Sequence, residues 1–137
     1  MTQTSNIIHA TLLALVLSSA PAFAAQPAVV DLNSIAQTDK ACRLTFTVTA
    51  DQGLSELQTQ TVLFDQDGAV QTFTLFDFGA VPSQGVRVRQ FDMPQTQCDD
   101  IKMVLFNEVS ICTTTDGAAC TVLPTFSSRV DTMEVQQ

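Results

Sequence analysis

The chain has 137 residues, 14 acidic against 6 basic side chains and a formal net charge of −8, with 4 cysteines and no Trp or Tyr. This length fits one domain. Because an acidic domain repels phosphate groups, the charge argues against nucleic acid and anionic membrane surfaces as partners.

The beginning of the chain has the features of a secretory signal peptide. An apolar stretch from Ile7 to Leu17 precedes Ala22-Phe23-Ala24, which fits the A-x-A cleavage pattern. A transmembrane anchor is the weaker alternative, because the apolar run is short and is interrupted by Ser19 and Pro21. We therefore expect residues 1–24 to be removed. Residues 25–137 are then predicted to form a single domain, periplasmic or extracellular, with no stable membrane span.

The cysteine count predicts two disulfides, because an even number of cysteines in an exported chain is typical of crosslinked domains. Three pairings are open. The short spacing between Cys112 and Cys120 encloses the turn signal Asp116-Gly117 and favours a local bridge, which leaves Cys42 to pair with Cys98. A zinc site is disfavoured, since no C-x-x-C spacing occurs and the only histidine lies in the leader. We expect no metal and no cofactor.

Period-two alternation of apolar and polar residues predicts an all-β domain. It is strictest from Cys42 to Asp51, where Leu44, Phe46 and Val48 share a face and threonines occupy the other. Five further strands and a final segment complete the prediction: an edge strand at 29–32, then 57–64, 70–78, 86–93, 101 to 109 or 111, and a last strand between 122 and 135.

Short turns separate these strands. Residues 65–68, ending in Gly68, predict a hairpin turn, and the alternation slips near Gln90, which predicts a β-bulge. No segment shows helical spacing. An immunoglobulin-like β-sandwich of about seven antiparallel strands fits this pattern, with a small open β-barrel as the alternative.

Short motifs carry a family resemblance. The stretch Val62-Leu63-Phe64-Asp65-Gln66-Asp67-Gly68 resembles the strand-to-turn pattern of FxLYD-type sandwich domains, with Phe64 where Tyr is usual. The mature chain is also similar to small exported proteins of alphaproteobacteria, through residues 74–80 and 87–91. The resemblance implies a sandwich fold and an exported location, and it transfers no functional residues.

The sequence argues against an enzyme. Once His9 leaves with the leader, no imidazole remains for Ser-His or Cys-His catalysis, and no Gly-rich phosphate loop is present. We identify no catalytic residues. The pairs Asp65/Asp67 and Asp99/Asp100 suggest a small-ligand or calcium-dependent binding domain as the alternative function, although turn formation explains them more simply.

Three predicted strands are apolar on both faces, whereas a sandwich buries only one face of each sheet. We expect the second face to dock another cell-envelope protein or a second copy of the chain, unless the N-terminal arm (26–39) or the C-terminal tail covers it. The domain would then be a non-enzymatic binding or structural module. The residues assigned to this face are Leu63, Phe73, Leu75, Val104 and Phe106, with the complementary set of apolar residues on the same strands as the alternative.

Overall fold

A computed structural model describes residues 24–137, so the predicted leader, apart from Ala24, lies outside the described residues. The described part contains eight strands and one 3₁₀ turn, Cys98–Asp100. The strands are β1 (Val29–Gln37), β2 (Ala41–Ala50), β3 (Leu54–Asp65), β4 (Val70–Asp77), β5 (Gly85–Pro94), β6 (Ile101–Thr114), β7 (Thr125–Ser128) and β8 (Glu134–Gln136).

The strands form two four-stranded sheets packed as a β-sandwich, which confirms the predicted all-β sandwich over the open-barrel alternative. Sheet A has the order β5-β2-β1-β7, and sheet B has the order β4-β3-β6-β8. Two expectations were wrong. β1 is an inner strand, between β2 and β7, and two pairings are parallel, β1 with β7 and β6 with β8. Both follow from the C-terminal segment, which adds one strand to each sheet.

Strand β2 shows how the sequence produces the core. Its alternation places Leu44, Phe46 and Val48 at 0% exposure, while the intervening threonines face solvent. Phe46 lies at the centre of an aromatic cluster, with ring centroids 5.7–6.0 Å from those of Phe76, Phe78, Phe91 and Phe106. These rings come from both sheets, so burial of one aromatic cluster holds the layers together.

The side of the sandwich between β4 and β5 is closed by two contacts. Phe76 and Phe91 stack with centroids 4.0 Å apart. The Arg89 guanidinium donates to the carbonyl oxygens of Phe78 (2.7 Å) and Ala80 (3.1 Å), just beyond β4. These charge-assisted hydrogen bonds satisfy two carbonyls at the end of the core.

The prediction of a β-bulge near Gln90 is wrong, because β5 pairs with β2 from Gly85 to Pro94 without a register shift. Side chains alternate regularly between the two faces of β5, but at the start of the strand the apolar residues lie on the outer face. Arg89, Phe91 and Met93 lie on the inner face, whereas Val86 and Val88 are each 56% exposed on the outer face. Arginine is tolerated inside because the carbonyls beyond β4 accept its hydrogen bonds.

Both favoured disulfides are present. Cys42 in β2 is bonded to Cys98 in the 3₁₀ turn, which ties sheet A to the segment entering sheet B, and Cys112 is bonded to Cys120. Two disulfides indicate an oxidising, extracytoplasmic compartment. Within residues 24–137, no helix has the length and apolar character required to cross a bilayer.

Candidate functional site

The structure separates the five residues predicted to share a docking face. Leu63, Val104 and Phe106 are 0–1% exposed within the core, whereas Phe73 and Leu75 are each 60% exposed. The prediction that all five lie on one surface is therefore wrong. Strands β3, β4 and β6 carry apolar residues at both odd and even positions. Alternation alone therefore could not show which residues of neighbouring strands share a face.

The cross-strand register defines the actual outer surface of sheet B. Phe73 lies opposite Val62, and Val62 lies opposite Leu105, so these three side chains form one row across β4, β3 and β6. A second row runs through Val70, Phe64 and Met103. We call the two rows together with Leu75 the outer face of sheet B: Val62, Phe64, Val70, Phe73, Leu75, Met103 and Leu105.

None of these seven side chains belongs to the core cluster or packs against it. Val62 is nevertheless only 6% exposed, since its neighbours in the row cover it. Five of the seven residues lie outside the set assigned to this face and belong to its complementary alternative: Val62, Phe64, Val70, Met103 and Leu105. The sequence shows that Val62 and Leu63 point to opposite faces of β3. A comparison of the possible registers between β3 and β4 was also needed to place Phe73 beside Val62.

Neither the N-terminal arm nor the C-terminal tail covers this face. Residues 29–37 of the arm form β1 in sheet A, and the tail supplies β7 to sheet A and β8 to the far edge of sheet B. Val70, Phe73 and Leu75 on β4 remain 62%, 60% and 60% exposed. Large side chains exposed next to one another mark an interaction surface more often than isolated ones do.

The outer face of sheet A has a different character. Its exposed Val86 and Val88 lie opposite Thr49 and Thr47, so hydroxyl groups interrupt the apolar surface. A bidentate ion pair between Arg43 and Asp92 lies further along, with Nε to Oδ1 at 2.7 Å. The hydrogen bond and charge of Arg43 hold the pKa of Asp92 below its usual range. This face is therefore mixed and polar.

The Asp-bearing loops considered for calcium act as turns. Asp65 Oδ1 accepts hydrogen bonds from the backbone N–H of Asp67 (3.0 Å) and of Ala69 (2.8 Å), and Gly68 takes φ +81° as the hairpin requires. Across residues 24–137, no three acidic, Cys or His side chains are grouped so that they could hold a metal ion. Asp65, Asp67 and Asp100 do line one surface hollow, but the turn already engages Asp65, and the grouping required for a metal ion is not reached among the described residues.

A second turn, within the loop closed by Cys112 and Cys120, uses the same chemistry. The Thr114 hydroxyl and the Ala118 backbone N–H both donate to the Asp116 carboxylate. These donors favour the charged form and lower the pKa of Asp116. Its carboxylate therefore has a structural role in this turn.

The fold and the outer face define the class of protein as an all-β, disulfide-bonded sandwich with one exposed apolar sheet face. No protein-family model matches the sequence, and the search of curated proteins found no match. The structure of IrmA from Escherichia coli is similar, with a TM-score of 0.53 and 12% identity over 75% of this chain and 91% of that chain. At this identity the likeness concerns the fold alone.

Proposed function

We propose that this chain is an exported, non-enzymatic binding module, immunoglobulin-like in architecture, that engages another protein of the cell envelope through the outer face of sheet B. It would act in the periplasm or outside the cell. The observation that carries the proposal is the exposure of Val70, Phe73 and Leu75, 60–62% each, beside apolar side chains on β3 and β6.

The energetics are consistent with docking. Full burial of a Val, Leu or Phe side chain contributes about 1.5–3 kcal/mol. Because Val70, Phe73 and Leu75 lie on a strand already paired with β3, binding them requires little ordering of the backbone. The absence of histidine from residues 24–137 and the use of Asp65 and Asp116 in turns support a binding role over a catalytic one.

Site-specific photo-crosslinking in living cells tests the proposal. A photoreactive amino acid is placed at Phe73 and, as a matched control, at Val88, which is 56% exposed on the outer face of sheet A. We expect a discrete adduct with an envelope protein from position 73 and none from position 88. No adduct from either position, or the same adducts from both, would count against docking through sheet B.

A charge variant supplies the second arm. Phe73→Asp introduces a carboxylate at the β4 end of the row, and because Phe73 is 60% exposed we expect the variant to stay folded, with a melting temperature lowered only by the partial uncovering of Val62. We expect it to abolish the adduct formed by a crosslinker at position 75. Phe106→Asp is unsuitable, because Phe106 is 1% exposed and stacks on Phe126 inside the core.

A further inference from the structure

Strand β4 is an edge strand without the usual protection against strand pairing. The described sheets have four edges, at β4, β5, β7 and β8. Edge strands are normally blunted by shortness, charge or proline. β7 and β8 have four and three residues, and β5 carries arginines and ends at Pro94. β4 has eight residues, no proline, and a single charge at its last residue, Asp77.

The backbone of β4 presents unpaired hydrogen-bonding groups at this edge. Just after β4, the Phe78 N–H donates to the Leu57 carbonyl of β3 at 2.8 Å. Successive residues of a strand direct their N–H and C=O groups to opposite sides. Phe76 and Thr74 therefore pair with β3, whereas Phe73 and Leu75 direct theirs away from the sheet. No strand among residues 24–137 pairs with that side.

The open edge and the exposed side chains belong to the same residues. Phe73 and Leu75 direct their backbone groups to the edge and place side chains, each 60% exposed, on the outer face. An extended segment lying along β4 would gain main-chain hydrogen bonds and, through alternate side chains, contact with the apolar rows. This combination is how strand-addition domains bind peptides.

The charges around β4 identify the occupant. Asp65 and Asp67 lie at the turn before β4 and Asp77 ends the strand, and within residues 24–137 none of them is ion-paired with Lys or Arg. Arg89 lies close to the Asp77 end, where its guanidinium is bound by the carbonyls of Phe78 and Ala80. Two copies pairing antiparallel through β4 would place the Asp77 end of one beside the Asp65 end of the other. The net charge of −8 adds to this repulsion. Basic residues at the ends of an incoming segment are attracted instead, most strongly beside Asp65 and Asp67.

We infer that β4 accepts, as a fifth strand of sheet B, an extended segment of another protein with apolar residues at alternate positions and Lys or Arg at both ends. The inference rests on the proposed function and specifies the chemistry of its partner.

A designed peptide tests this chemistry with the purified protein. The probe is an acetylated, amidated octapeptide that alternates valine and threonine between terminal lysines, and the matched control carries terminal glutamates. We expect the lysine peptide to bind about tenfold more tightly at low salt, a difference of about 1.4 kcal/mol. Equal binding of the two peptides would overturn the charge assignment.

Amide hydrogen exchange measured by NMR locates the bound peptide. With the lysine peptide at saturation, the amides of Phe73 and Leu75 are expected to slow by about tenfold or more, whereas those of Thr74 and Phe76, already paired with β3, change little. Binding that leaves the Phe73 and Leu75 amides unprotected would overturn strand addition, and docking on the outer face would stand.

Two variants at one position separate edge pairing from side-chain contact. Leu75→Pro removes an N–H that points away from β3, so the ladder is kept, whereas Leu75→Thr keeps that N–H and removes apolar surface. We expect proline to abolish peptide binding and threonine only to weaken it. Equal weakening by both variants would overturn strand addition.

The results also distinguish failure of the inference from failure of the proposed function. If the lysine peptide does not bind but the adduct from position 73 persists, strand addition is wrong and docking stands. If both are absent, both proposals fail. Concentration-dependent dimerisation that protects the Phe73 and Leu75 amides without peptide would make a second copy the occupant and overturn the inference.

Discussion

Loss of the bridge between Cys42 and Cys98 should lower the free energy of unfolding more than loss of the bridge between Cys112 and Cys120. The bridges span 56 and 8 residues, and in the chain-entropy model loops of these lengths contribute about 4 and 2.5 kcal/mol. Burial widens the difference. Cys42 and Cys98 are 0% and 7% exposed, so removing their sulfurs also leaves core space unfilled, at a cost of about 1 kcal/mol.

The comparison uses two double variants, Cys42→Ala/Cys98→Ala and Cys112→Ala/Cys120→Ala, each keeping the other bridge. Because the chain has no Trp or Tyr, urea unfolding is followed by far-ultraviolet circular dichroism. We expect the long-bridge variant to be about 2.5 kcal/mol less stable than the short-bridge variant. If the long-bridge variant does not fold at all while the short-bridge variant does, the result also agrees with the prediction. Equal losses, or a larger loss for the short bridge, would refute the reasoning.

Three further predictions concern single contacts. Arg89→Met should destabilise the fold by about 2 kcal/mol in urea unfolding, because two carbonyls beyond β4 lose charge-assisted hydrogen bonds; an unchanged midpoint would contradict it. Thr114→Val should raise the pKa of Asp116 in an NMR titration. Since the folded-state pKa is lowered, the stability from this contact is present above the unfolded-state pKa and lost as pH falls through the folded-state value. Millimolar calcium should leave the melting temperature unchanged, because Asp65 is engaged by backbone donors; a clear rise would revive the calcium alternative.

Much of the fold could be predicted because local chemistry determines it. The alternation around Phe46 places β2 in the core, the Gly68 turn connects β3 to β4, and the short spacing of Cys112 and Cys120 indicates their bridge. Each feature involves residues near one another in sequence, where period and turn chemistry act directly.

The docking face could not be assigned in the same way. Which parity of β4 shares a face with Val62 or with Leu63 depends on the register between strands, and that register includes irregularities in both pairings of β3. A one-residue change in register moves every side chain to the other face. Arg89 was missed for a related reason, because an inward arginine depends on carbonyls supplied by another part of the chain.

The local sequence pattern also could not show that β4 is an edge strand. Its lack of charge before Asp77 is visible in the sequence, but this lack indicates an open edge only once β4 is known to end sheet B. The same composition in a central strand would be ordinary.

Hydroxyl-radical footprinting compares the two sheet faces most directly, in the purified protein and in intact envelope preparations. Phe73 and Leu75 report on sheet B, and Val86 and Val88, exposed to a similar degree, report on sheet A. We expect oxidation of Phe73 and Leu75 to fall several-fold in the envelope while that of the two valines is unchanged. Equal oxidation of Phe73 and Leu75 in both preparations would contradict docking through the outer face of sheet B.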